Sequence, residues 1–121
     1  MDNDSKIQEM KEIVTAFAKE RDWEKFHNPK DLGVALGIEV AELMEHFRFK
    51  TNEEVQEMLM DAEKKKEISN ELADIFHGLL RISEVCSIDL SEALKEKMVE
   101  ARKKYPVELV KGKPDKYTHY K

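Results

Sequence analysis

Four carboxylates stand where an amphipathic helix would ordinarily carry apolar side chains. Glu39 and Glu42 lie in Gly37-Ile38-Glu39-Val40-Ala41-Glu42-Leu43, and Glu71 and Asp74 in Glu71-Leu72-Ala73-Asp74-Ile75. At about 100° per residue, Glu39 falls inside the apolar arc of Leu32, Leu36 and Leu43, with Glu42 at its edge. Glu71 projects within about 40° of both Ile75 and Ile82, with Asp74 at the edge of that arc. Each pair therefore aims two carboxylates from one helical face toward the interior. Burying unpaired carboxylates is costly, and bringing four together adds mutual repulsion. A divalent cation removes both costs. Hard oxygen donors suit Mg²⁺, with Mn²⁺ as the alternative, whereas zinc would call for the cysteine or histidine cluster this chain lacks. A magnesium site also keeps positions open for phosphate oxygens. In a sequence with 26 acids, acidic pairs at this spacing also arise by chance, as Glu9 with Glu12 does on a solvated face. Two pairs that both intrude on apolar arcs favour the metal.

Those acids need helices to hold them, and the chain supplies helical spacing throughout. Ile7, Met10, Val14 and Phe17 form one stripe, placing a first helix over about Ser5 to Arg21. Trp23 to His27 reads as a connector. Asn28-Pro29-Lys30-Asp31 starts a second helix, with Asn as N-cap, Pro at the first helical position and an acid in the first turn. Its inner face is Leu32, Leu36, Leu43 and Phe47. Thr51-Asn52-Glu53-Glu54 fits a capping box and opens a shorter helix with Val55, Met58 and Leu59. Lys64-Lys65-Lys66 marks a break or a solvated turn. Beyond it, Ile68, Leu72, Ile75, Leu79, Ile82 and Cys86 outline a long fourth helix. Asp89-Leu90-Ser91-Glu92 caps a fifth, carried by Leu90, Leu94, Met98 and Ala101 and stopped by Pro106. No stretch alternates as a half-buried strand would. The expectation is an all-α bundle of about five helices, with a domain over residues 1–106 and a tail over 107–121.

The whole chain, 121 residues, suits one core and no second one. A chain this short, with 39% charged residues, often completes its core by pairing with a copy of itself. The net charge of −5 argues against nucleic-acid polymers, which call for a basic surface. It leaves room for a small phosphorylated ligand at one local site. Cys86 is the single cysteine, so no internal disulfide forms, in keeping with a reducing compartment. No apolar run reaches the roughly 20 residues of a membrane span. Met1-Asp2-Asn3-Asp4 lacks the basic and apolar regions of a signal peptide. A cytoplasmic location is the expectation.

The same residues also resemble a family. Arg21-Asp22-Trp23-Glu24-Lys25-Phe26-His27, followed by the Glu39 motif, is similar to the all-α nucleotide pyrophosphohydrolases of the MazG-like superfamily, nearest their dCTP pyrophosphatase branch. Glu71-Leu72-Ala73-Asp74-Ile75 resembles the second acidic motif of that family. Lys97-Met98 and Arg102-Lys103-Lys104-Tyr105-Pro106 resemble its basic C-terminal helix. The ordered set, with 28 residues between Glu42 and Glu71, is more specific than either pair alone, and the similarity runs nearly to Pro106.

The resemblance implies a helical bundle whose four-helix core is completed by a second subunit, as a homodimer or a dimer of dimers, and a magnesium-dependent hydrolase that cuts nucleoside triphosphates between the α- and β-phosphates. It implies Glu39, Glu42, Glu71 and Asp74 as metal ligands and catalytic acids. Lys97 and Arg102 would contact phosphates. His27 and Phe49 would form the base pocket, with Phe49 where the dCTP branch has a tryptophan. Trp23 either serves that pocket or anchors the connector to the core, the second being favoured. His46 and His77 read as ordinary helix residues. Gly78 stands where the dCTP branch has a tyrosine and Ala101 where it has an asparagine, both associated with holding the nucleotide. Their loss leaves the metal site whole but loosens the link to cytosine. Two other classes remain open at this stage. A di-iron or di-manganese carboxylate bundle would normally use Glu-x-x-His, faintly echoed by Asp74-Ile75-Phe76-His77. A non-catalytic helical dimer binding a nucleotide or partner would leave all four acids solvated.

Overall fold

Short-range capping chemistry sets where the helices begin. Asn28 Oδ1 accepts from the Asp31 N–H at 2.9 Å, with Pro29 in the first turn. Thr51 Oγ1 accepts from the Glu54 N–H at 3.1 Å, and Asp89 Oδ1 from the Glu92 N–H at 2.9 Å. All three starts are those the sequence specifies. The computed structural model describes residues 1–116 and 118, and among these the regular structure is entirely helical. The order is α1 (Ile7–Glu20), a 3-10 turn (Glu24–Phe26), α2 (Pro29–Phe47), α3 (Asn52–Met60), α4 (Ala62–Val85), α5 (Leu90–Lys104) and α6 (Val107–Val110). The all-α class is as expected. The single turn α6 lies within the stretch read as a tail; positions 117 and 119–121 of that stretch lie outside the described residues.

One expected boundary moves. Lys64-Lys65-Lys66 does not break the chain but lies in the opening turns of α4. The break falls at Asp61, whose Oδ1 accepts from the N–H groups of Glu63 (2.9 Å) and Lys64 (3.2 Å). Lysine is a good helix former, so a run of three solvates one helical face once a cap stands upstream.

The chain divides into two units, Met1–Ser87 and Ile88–Lys121. In the first, α4 is the hub, and α1, α2 and α3 each pack against it. Val14 and Ala18 of α1 and Ile68 and Leu80 of α4 are buried. The inner face of α2 is the expected one: Leu32, Leu36, Leu43 and Phe47 are half-buried, while Val34, Ile38 and Met44 are exposed. On α4 the arc is narrower than its periodicity suggests. Ile68, Ile75 and Ile82 turn inward, whereas Leu72 is 53% exposed, Leu79 39%, and Cys86 is also exposed. Instead Arg81 and Ser83 are buried, the Ser83 hydroxyl donating to the Leu80 carbonyl at 2.7 Å. In the second unit, α5 is exposed from Ser91 to Glu100 and carries a ladder of charge: Glu100 bridges Lys97 (3.4 Å) and Lys104 (3.0 Å). No described helix is long and apolar enough to cross a membrane.

Candidate active site

Packing α2 on α4 brings the two acidic motifs face to face. Carboxylate oxygens of Glu39, Glu42 and Glu71 come within 4.8 Å of one another. Glu39 and Glu71 are half-buried and Glu42 is exposed. Glu39 Oε2 and Glu71 Oε2 are each shut off from solvent without a hydrogen-bond partner among the described residues. Two orphaned, anionic oxygens under one roof are what a buried carboxylate site avoids unless a cation joins it. The donor set therefore fits a hard divalent ion. Burial first, then hydrogen bonding with the Glu42 carboxyl, then the charges of Glu42, Asp74 and Glu71, hold the Glu39 carboxyl above its ordinary range.

Asp74 stands outside the tight group of three. It is exposed, yet its charge reaches Glu39, and both border a cavity of about 140 Å³ between α2 and α4. Leu32, Ala35 and Leu36 of α2, His77, Gly78 and Arg81 of α4, and His27 of the connector complete its walls. The cavity also accounts for Gly78. A Cβ at that position would lie 3.2 Å from Leu36 Cδ1, so Leu36 fills the space a side chain on Gly78 would enter.

His27 is the one expected base-pocket residue that lines this cavity. Its imidazole is held below its usual range by burial first, then by the positive Arg81 and by His77, with Glu24 opposing. Phe49 lies outside it, on the turn after α2, 90% exposed with a left-handed φ of 61°. The Arg48 guanidinium sits over its ring at 4.6 Å. Trp23 is neither in the core nor in the cavity. It is half-exposed and meets Phe17 edge-on at 5.7 Å between centroids; Phe17 in turn meets His77 at 5.8 Å. Lys97 and Arg102 lie on α5 in the second unit, both exposed.

Two residues gain roles that sequence reasoning did not give them. His46, half-buried on α2, places Nε2 3.5 Å from Glu71 Oε1, beside the orphaned oxygen of that carboxylate. Arg81 is buried and bonds to His27. A signal for Arg81 existed, since a charged residue directly after Leu79-Leu80 intrudes on an apolar stretch much as Glu39 does. A larger open groove of about 550 Å³ borders the site through His46 and runs past Lys50, Lys64 and the two α3 acids Glu54 and Glu57.

A helical unit in which α2 and α4 bring carboxylates together defines a class of all-α proteins with an acidic site between two helices. Comparison with known proteins makes the class particular. The MazG-like family model matches residues 34–119, and the chain belongs to that family. It is 38% identical over 112 residues to dCTP pyrophosphatase 1 of Bos taurus and 35% identical to that of Homo sapiens. Each alignment covers 93% of this chain and 66% of the relative, so the chain spans just under two thirds of the length of these relatives. A crystal structure of a pyrophosphatase from Archaeoglobus fulgidus superposes with a TM-score of 0.76 at 39% identity, covering 82% of this chain and 91% of that one.

Proposed function

We propose that this protein is a metal-dependent nucleoside triphosphate pyrophosphohydrolase, converting a ribo- or deoxyribonucleoside triphosphate and water into the monophosphate and pyrophosphate. The observation that carries the reading is the meeting of Glu39, Glu42 and Glu71 with two orphaned oxygens, in a family whose relatives include proteins named for that activity. Glu39, Glu42 and Glu71 would hold the ion, Mg²⁺ first and Mn²⁺ second, with Asp74 completing the set from the cavity side. An ion bound there supplies positive charge to the triphosphate and acidifies the attacking water. The protein's part is to fix the donors and to accept a proton. A carboxylate oxygen not engaged with metal takes the proton as water attacks the α-phosphorus, and the bond to the bridging oxygen breaks to release pyrophosphate.

The nucleoside half is assigned to the α2–α4 cavity, with His27 at its wall. Phe49, and Trp23 beside it in the reading, would close on the base only from outside that cavity. Lys97 and Arg102 are assigned to the phosphates on the strength of their motif. With Gly78 and Ala101 in place of a tyrosine and an asparagine, the substrate range is expected to extend beyond cytosine, as suits clearance of unwanted nucleotides from the pool.

A homo-oligomer is part of the same reading. Ile13 of α1, Val34, Ile38 and Met44 of α2, and Leu72 and Phe76 of α4 are exposed apolar side chains, more than a lone helical unit ordinarily leaves to water. Product analysis over a panel of triphosphates with Mg²⁺ tests the proposal. Monophosphate with pyrophosphate is the expected pair. Diphosphate with phosphate, or no hydrolysis by folded protein, would overturn it.

A further inference from the structure

Arg81 is an unusual residue to bury. It is 7% exposed, on α4 two turns beyond Asp74, and each arm of its guanidinium has a partner. Nε donates to His27 Nδ1 at 2.8 Å and Nη1 to Thr15 Oγ1 at 3.2 Å, while Nη2 faces Glu24 Oε1 at 3.7 Å. These contacts tie α4 to α1 and to the connector that carries His27.

The bond to His27 has a consequence for the proton on that ring. A guanidinium only donates and stays charged at any accessible pH. Nδ1 must therefore offer its lone pair, and the one remaining place for a proton on a neutral imidazole is Nε2. Among the described residues no group accepts a hydrogen bond from Nε2, and His27 borders the α2–α4 cavity. A phosphate would be matched best by an imidazolium, which the Arg81 bond forbids. An uncharged acceptor matches a neutral N–H. Leu32, Ala35 and Leu36 give the cavity an apolar wall, and the guanidinium of Arg81, which also lines it, is engaged by His27, Thr15 and Glu24.

We propose that Arg81 is a positioning residue, locking His27 as the neutral Nε2–H tautomer so that it presents a fixed donor to an acceptor oxygen on the nucleoside half of the substrate. This rests on the reading of the cavity as a nucleotide site. The acceptor is a base carbonyl or a sugar hydroxyl oxygen, which share the chemistry a neutral N–H recognises. With its guanidinium engaged by His27, Thr15 and Glu24, Arg81 acts through His27, so its effect is on binding and not on the chemical step.

Long-range ¹H–¹⁵N correlation spectra of the full-length, ¹⁵N-labelled protein read the tautomer without any turnover. The expected result is a His27 with unprotonated Nδ1 and protonated Nε2, becoming a mixture of tautomers in Arg81→Lys. That variant keeps the charge but loses the directed Nε–H. Its KM should rise about tenfold, the size of one hydrogen bond, with kcat changed far less. In a His27→Ala background the same substitution should add nothing. Substrates lacking sugar hydroxyls or a base carbonyl separate the two sources, because only the analogue missing the true acceptor will be insensitive to Arg81→Lys.

A wild-type His27 protonated on Nδ1 would overturn the inference, as would an equal KM rise from Arg81→Lys with His27 already removed. Arg81→Gln is the second variant if the lysine does not fold, and the wild-type spectrum decides if neither does. A protein that hydrolyses no triphosphate yet carries the Nε2–H tautomer overturns the enzymatic reading and upholds the lock.

Discussion

Glu39→Gln removes one negative charge from a group of three while keeping the shape of the side chain. Two unit charges no more than 4.8 Å apart repel by at least about 1 kcal/mol under water-like screening and at least about 3.5 kcal/mol under the screening typical of protein surfaces. Glu42 is exposed and Glu71 half-buried, which puts the first repulsion near the lower bound and the second between the two. Part of the relief is lost because a half-buried amide must still find partners. A net stabilisation of about 2 kcal/mol in the metal-free protein is expected, or a melting temperature about 6–10 °C above wild type for a domain of this size.

Magnesium should reverse the order. An ion that binds only the folded state stabilises by mass action, and the variant has lost one of its donors, so wild type gains more on going from EDTA to millimolar MgCl₂. The pH dependence carries the same signature. The Glu39 carboxyl is held above its ordinary value of 4.5 by burial, then by Glu42, Asp74 and Glu71, so the folded state binds a proton that the unfolded chain releases. The penalty is absent below 4.5 and grows as pH rises through the folded value. The stability gap between variant and wild type in EDTA therefore widens from mildly acidic to neutral pH. Thermal melts by circular dichroism, with and without EDTA, are the assay. A variant that melts below wild type in EDTA, or a magnesium increment equal in the two proteins, would refute the argument that these carboxylates share a cation.

Four other outcomes follow from particular contacts. Asn28→Ala removes the side-chain acceptor for the Asp31 N–H and should cost about 1 kcal/mol, seen as a lower melting temperature. Phe49→Gly relieves a bulky residue at φ 61° and should stabilise by about 1 kcal/mol, while raising KM because the stacking ring is gone; unchanged KM would remove Phe49 from the base pocket. An NMR titration of His27 should give a midpoint below 6.5, since burial, Arg81 and His77 depress it. Its stabilising contribution is then present above 6.5 and lost as pH falls through the folded value, and a midpoint at or above 6.5 would contradict the Arg81 contact. Ile38→Glu places a charge on an exposed apolar position of α2 and should convert the oligomer to a 14.2 kDa monomer in light scattering; wild-type protein already monomeric would sink that part of the reading.

What could be read from the residues alone was whatever depends on neighbours three or four positions away. The caps at Asn28, Thr51 and Asp89 are hydrogen bonds spanning three residues, and they began helices where expected. The turning of Glu39 toward the interior follows from helical period against Leu32, Leu36 and Leu43, and it is half-buried. The same local logic failed at Lys64-Lys65-Lys66, because a charged run looks alike on a solvated helix and in a turn. The Asp61 cap that decides between them was the overlooked signal.

Periodicity likewise gives the direction of an apolar arc but not how much of it a neighbour will cover. Leu72 and Leu79 share the arc of Ile75 and Ile82 yet remain exposed, since coverage depends on where α1, α2 and α3 lie against α4. The long-range juxtapositions belong wholly to the tertiary structure. Glu39 and Glu42 meet Glu71 only when α2 packs on α4, His46 reaches Glu71 across 25 residues, and Arg81 reaches His27 across 54. The sequence by itself determined the helices, their starts and the side chains that could do chemistry, because a turn of helix is governed by its own few residues. Tertiary structure alone decided which carboxylates come together and which nitrogen of His27 meets Arg81. Those depend on distances of a few ångströms between helices, and no local pattern along one helix specifies them.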